Sequence, residues 1–272
     1  MEIVRLQKNV AIMIDGNFFL KRFNVIFGKD KTPKEIADKL EEMVRFHLSG
    51  DNLYRIFYYD CYPYSKKEQN PVDGETVDFS KTKVAEDRIA FFEELKSRRK
   101  MALRVSEVHS RGDWVIRPYR TKQLLKGELE LDELTGDDVY FNINQKGVEM
   151  KIGVDIATLS LKKQINKVIL IAGDSDFVPA AKLARYEGVD FVLDPMWNPI
   201  KDNLYEHIDG LKSVCPRPER VQQNKETNHP TKETTHRSDS PTKESNHRGD
   251  AQPRDPNAHE RTTTGYIHRP ED

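Results

Sequence analysis

The chain has 272 residues, 36% apolar and 33% charged, with a formal net charge of −1 and two cysteines. That balance excludes a globally basic magnet for nucleic acid, so any polyanion binding needs a local patch. Cys61 and Cys215 supply neither a zinc pattern nor a disulfide framework, which fits a reducing compartment; no apolar run approaches the ~20 residues of a membrane span, and the first one is too short for a signal peptide, so a soluble cytoplasmic protein is expected.

That first element is residues 10–14, "VAIMI", a continuous apolar run suited to a strand buried on both faces. Thr32 and Pro33 open a helical pattern, threonine as cap and proline in the first turn. Ile36, Leu40, Val44 and Leu48 share one side of it. Residues 54–60, "YRIFYYD", read as a strand, and the polar residues 63–80 as a loop. A second helix is expected over 84–99, burying Ile89, Phe92 and Leu95. Residues 102–108 and 113–118 read as further strands, one turning back on the other. The acidic residues 119–145 give no element. Lys146-Gly147 leads into an amphipathic helix that runs to about Gln164. A fully apolar strand follows over 167–173, then a helix over 179–186 stopped by Gly188. A last strand over 189–194 and a closing helix over 203–211 complete the pattern.

Strand and helix in alternation give a mainly parallel sheet with helices on both faces, hence a three-layer α/β/α domain over residues 1–215. Residues 216–272 nearly lack large apolar side chains and loosely repeat "KETNH", "KETTHR" and "KESNHR". Such a segment cannot offset its ordering entropy and is expected to be a disordered, low-complexity tail. Its histidines are too scattered to form a ligand set. The tail could tether a partner that its residues do not name.

Two apolar strands end in acid. "VAIMIDGN" brings out Asp15, with Asn17 two positions on, and "KVILIAGDSD" brings out Asp174 and Asp176. Ligands of parallel α/β sheets bind beyond the carboxyl ends of the strands. Asp155 interrupts an otherwise apolar helical segment, where an unpaired charge is costly. Two carboxylates ~5 Å apart repel by about 3 kcal/mol at an effective dielectric near 20. A divalent cation cancels that repulsion, and oxygen donors without nearby Cys or His select Mg²⁺ or Mn²⁺. Such ions orient a phosphodiester and activate water.

Plainer roles compete for each residue. Asp15 before Gly16 can simply end a strand, Asp176 can cap the following helix, and Asp155 can pair with Lys151. Glu149 can favour the start of its helix, and Asp60 reads as structural. Co-occurrence lifts the set above its members. Of the basic residues, 96–100 ("KSRRK") read as a solvated helix end. Arg104, Arg117, Arg120 and Lys122, with Trp114 and Tyr119 among them, offer a backbone-tracking and base-stacking alternative. Lys146 is placed to meet a scissile phosphate.

Together "VAIMIDGNFF", "QKGVEMKIGVDIATLS" and "VILIAGDSDFVPAAKLARYEGVDFVL" closely resemble the NYN domain, the LabA-like branch of the PIN-like nuclease superfamily. The likeness spans about 10–211. It implies a PIN-like, Rossmann-like fold and a metal-dependent ribonuclease using Mg²⁺ or Mn²⁺. The partner it implies is RNA, with single-stranded DNA as the other candidate. Carried over position by position, it makes Asp15, Asp155, Asp174 and Asp176 the catalytic and metal-holding acids. Asn17, Ser175 and Lys146 would contact water or substrate. Where the family often has aspartate after lysine-glycine-valine, this chain has Glu149, a longer candidate ligand. Two other classes remain: a non-catalytic RNA-binding or scaffolding module, and a haloacid-dehalogenase-like phosphatase. The latter needs a second aspartate where this chain has Asn17.

Overall fold

A computed structural model of the protein describes residues 7–107, 112–143 and 147–218, all within one compact unit, Met1–Val221. The sheet is built from the apolar runs. β1 (Asn9–Asp15) lies between β2 (Asn52–Cys61) and β8 (Lys167–Ile171). β5 (Met101–Ser106) extends the β2 side, and β9 (Asp190–Asp194) and β10 (Gly210–Leu211) extend the β8 side. Every pairing in this six-stranded sheet is parallel. Val10 to Ile14 are fully buried, as a run without polar alternation requires when both faces are covered.

One face carries α1 (Gly16–Phe27), α2 (Pro33–Leu48) and α3 (Lys83–Lys96) over Ile12, Ile14, Tyr58 and Ile169. The other carries α5 (Val148–Leu161) and α6 (Val178–Tyr186) over Met13, Tyr59 and Leu170. The three-layer α/β/α expectation therefore holds. α2 begins with a full capping box, Thr32 and Glu35 each bonding the other's backbone. Gly188, at φ +78°, ends the turn after α6 as its position suggested.

Residues 62–82 and 112–143 form an accessory lobe that the sequence left largely blank. It contains the hairpin β3 (Lys67–Gln69) and β4 (Thr76–Asp78), the hairpin β6 (Asp113–Ile116) and β7 (Val139–Asn142), and the short α4 (Pro118–Leu125). Tyr64, Phe79, Phe141 and Trp114 close on one another at ring separations of 5.1–5.6 Å. Asn70 adds a bond from its amide to the Gly136 carbonyl at 3.1 Å.

Several sequence expectations change. β6 turns back on β7, across the lobe, and not on β5, because β5 is already paired with β2. Ile89 is 46% exposed on α3, while Phe91 is buried with Phe92 and Leu95. The closing helix shrinks to one turn, α7 (Asp202–Tyr205), before β10 adds an edge strand. α1, unforeseen, starts directly at the end of β1. The tail from residue 219 and Lys146 lie outside the described residues. Among the described residues no helix is long and apolar enough to cross a membrane.

Candidate functional site

Strand order places the site. From β1 the chain builds outward through β2 and β5, then returns to the other side of β1 to lay down β8 and β9. Connections on opposite sides of β1 and β8 open a crevice at their carboxyl ends, where α/β sheets bind ligands. Asp15 closes β1, one position beyond the Ile14–Ile171 pair, and Asp174 follows β8 at the same edge.

Asp15 has two duties. Its carboxylate caps α1, accepting the Phe18 N–H at 3.0 Å. It also lines a recess of about 50 Å³ with Asn17, Tyr59, Asp60, Val148 and Glu149. That is space for a few water-sized spheres, about 10–15 Å³ each, and too little for a nucleotide. Glu149 comes from the first turn of α5, which begins at this edge and runs back along the sheet. Gly16 is needed for close approach: a Cβ there would stand 2.6 Å from the Tyr58 ring and from an Asp60 carboxylate oxygen.

Burial pushes the Asp15 carboxyl up from 3.8 to about 6; the Phe18 N–H opposes this, and the charges of Glu149 and Asp60 reinforce it. The shift corresponds to roughly 3 kcal/mol of penalty on the charged form. Asp60, the next strand's acid, is also raised by burial, partly offset by Arg88. It is fully engaged: Arg88 and the Tyr58 hydroxyl bond one oxygen and the Cys61 N–H bonds the other at 2.8 Å. Asp60 thus behaves as the structural acid that the sequence suggested, although it also walls the recess.

Although its partner Tyr59 lines that recess, Asp155 does not. It follows Glu149 by six positions, about 9 Å further along α5 and away from the sheet edge. Its carboxylate accepts Arg104 Nε at 2.9 Å and Nη2 at 2.5 Å, and the Tyr59 hydroxyl at 2.8 Å. A bidentate guanidinium supplies the countercharge that a cation would otherwise provide. Lys151, the partner the sequence offered, reaches Ser106 instead. The Tyr59 phenol is held far above its usual range by burial and by this bond to Asp155.

Asp174 and Asp176 are both exposed, flanking Ser175. Asp174, rather than Asp176, does the capping: it accepts the Asp176 N–H at 3.4 Å and the Ser175 hydroxyl at 3.5 Å. α6 starts behind Phe177 with no side-chain cap. Lys201, which the sequence did not single out, donates to Ser175 Oγ at 3.3 Å and brings an ammonium to this edge. Nothing in its local sequence signals that role.

Among the described residues, no three His, Cys, Asp or Glu side chains gather closely enough to hold a metal ion by themselves. The donors that do line the recess fit a hard cation that keeps much of its water: two carboxylates, Asp15 and Glu149, and the Asn17 amide oxygen. No cation from the described residues bonds Asp15 or Glu149. The arginines expected to follow a phosphate backbone are engaged elsewhere. Arg104 holds Asp155, Arg117 donates to the Asp137 carbonyl at 2.7 Å, and Arg120 bonds Asp138 at 2.7 Å. They build structure before they offer a surface.

The NYN domain family model matches residues 9–198. No curated protein matches the chain. Among solved structures, the crystal structure of a protein of unknown function from Vibrio parahaemolyticus aligns over 79% of this chain and 96% of its own, at 10% identity and a TM-score of 0.41.

Proposed function

The chain belongs to the NYN domain family, and from that premise we propose that it is a metal-dependent nuclease acting on RNA. The observation that carries this reading is the convergence of Asp15, Asn17 and Glu149 on one recess at the switch in strand order. Half-buried like charges without a cation partner among the described residues repel one another, and an ion removes that cost.

Asp15 and Glu149 would hold Mg²⁺ or Mn²⁺, with the Asn17 amide oxygen as a neutral donor. Such an ion, when bound, supplies charge stabilisation at the phosphodiester and a lowered pKa for water. The chain's own groups prepare the rest. The Phe18 N–H and the close packing around Gly16 fix the Asp15 carboxylate. Arg88 pairs with Asp60 and so holds that wall of the recess in place. Asp174 and Asp176, exposed at the neighbouring strand end, are available to a second ion or to its waters. Lys201 beside Ser175 can meet a phosphate oxygen.

The test is incubation of the purified full chain with single-stranded RNA and DNA of one sequence, in Mn²⁺, Mg²⁺ or chelator. Cleavage of RNA that needs metal and vanishes in Asp15→Asn supports the reading. Equal cutting by Asp15→Asn, or cutting in chelator, overturns it. The lack of a preformed three-acid group favours one rival, a non-catalytic RNA-binding module. Tight RNA binding without metal-dependent cleavage would decide for that rival.

A further inference from the structure

A second concavity opens on the far side of the β2 end. Tyr59 and Asp60 wall the acidic recess, and Cys61, the next residue, lines a cavity of about 330 Å³ with Tyr64, Phe79, Val84, Ala85 and Arg88. The two openings are thus separated by a single strand end and joined through the Arg88–Asp60 ion pair.

Resting on the nuclease reading above, we propose that this cavity is a nucleobase subsite. It would receive one unpaired base of single-stranded RNA whose phosphate lies at the Asp15–Glu149 recess. Volume comes first: about 330 Å³ falls at the lower end for small-molecule pockets and suits one flat heterocycle. The walls come second. Phe79 and Tyr64 stand 5.6 Å apart, edge to face, and both pack on Phe141. Rings held in this way offer faces on which a base stacks, whatever its sequence. The polar rim comes third. Asp60 engages only Nη1 of Arg88 among the described contacts, so the other guanidinium donors remain for a base carbonyl or ring nitrogen. Cys61 adds no competing charge, because burial pushes its thiol up. The Tyr64 hydroxyl is held by Glu68, which fixes the ring without closing the cavity.

Position also selects the occupant. An apolar cavity far from the acids would suit many ligands, but this one begins one residue from a wall of the candidate phosphate site. It is made mainly by the accessory lobe, with Val84, Ala85 and Arg88 of α3 and Cys61 at the end of β2 completing the wall. The lobe therefore selects how substrate lies across the edge.

The experiment measures equilibrium binding in chelator, so that turnover plays no part. The full chain is titrated with a short single-stranded RNA carrying 2-aminopurine at each position in turn, and with the same RNA made abasic at each position. One position should show quenched fluorescence and lose roughly 5- to 150-fold in affinity when abasic. Val84→Trp, at a site 73% exposed, should fill the cavity and remove both effects with unchanged thermal unfolding. Phe79→Leu keeps volume but loses the flat face, and should reduce the abasic penalty. The proposal is overturned if no position is base-dependent, if Val84→Trp binds as wild type does, or if the RNA does not bind. Base-dependent binding without metal-dependent cutting sinks only the nuclease reading. Metal-dependent cutting without base dependence sinks only the subsite.

Discussion

The carboxyl edge of the sheet and the accessory lobe are both acidic, yet their acids live under opposite conditions. In the lobe, Asp138 is buried but satisfied: the Thr135 N–H and hydroxyl take one oxygen, and Arg120 bonds the other at 2.7 Å. Those bonds, the Thr135 N–H first, hold its carboxyl down to about 2. At the edge, Asp15 has only backbone N–H groups, Phe18 first and Asn17 more weakly, and no cation from the described residues, and its carboxyl rises to about 6. The same side chain is thus a fastener in one region and a carboxylate without countercharge from the described residues in the other. Acid content alone does not distinguish the two regions; the partners each carboxylate finds do.

Function offers the hardest test of that contrast. Asp15→Asn keeps an oxygen to cap α1, and Glu149→Gln keeps the shape of the recess, so both should fold. Each should cut RNA about a hundredfold more slowly or worse, the scale of losing one group that stabilises transition-state charge. A well-folded Glu149→Gln protein with wild-type rates would break the comparison at its centre.

Acidity gives the next largest effect. The folded Asp15 binds its proton more tightly than the unfolded chain, whose value is 3.8. Native protein in chelator therefore holds more protons between about pH 4 and 6, and its stability falls as pH rises through that window. Asp138 has the opposite sign: it stabilises above about pH 4, and that support is lost as pH falls through about 2. Urea unfolding in chelator at pH 7 should show Asp15→Asn more stable than wild type by up to about 3 kcal/mol. The decline between pH 4 and 6 should flatten, with Asp60 leaving a residual slope of the same sign. An unchanged slope would mean that Asp15 is not strained by burial.

Asp155 sharpens the boundary between the two kinds of acid. Asp155→Asn loses its charge-assisted bonds to Arg104, which is half exposed, so a cost of about 1 kcal/mol is expected. RNA cleavage should stay within a few fold of wild type when the protein is folded. A loss matching that of Asp15→Asn would move Asp155 back among the metal ligands. Lys201→Ala should have the smallest effect, a rise in KM of about threefold with kcat and melting unchanged, as expected for one exposed charge. No change in KM at any ionic strength would remove Lys201 from the substrate path.

Much of the fold is legible in the sequence. A short unbroken apolar run flanked by turn residues suits a strand covered on both faces, so "VAIMI" and "KVILI" pointed to the parallel core, and the acids behind them to its carboxyl edge. Thr32-Pro33 and Gly188 marked helix ends because capping and positive φ are local chemistry. Tertiary structure decided which acids meet and which are cancelled. Glu149 reaches Asp15 because α5 starts at the sheet edge, and Asp155 does not because six helical positions carry it to Arg104, 51 residues away in sequence. The accessory lobe escaped for the same reason: its aromatic cluster joins residues from 64 to 141, and no periodicity records a contact between segments so far apart. Local pattern fixes where each charge leaves the backbone; only packing fixes what stands opposite it.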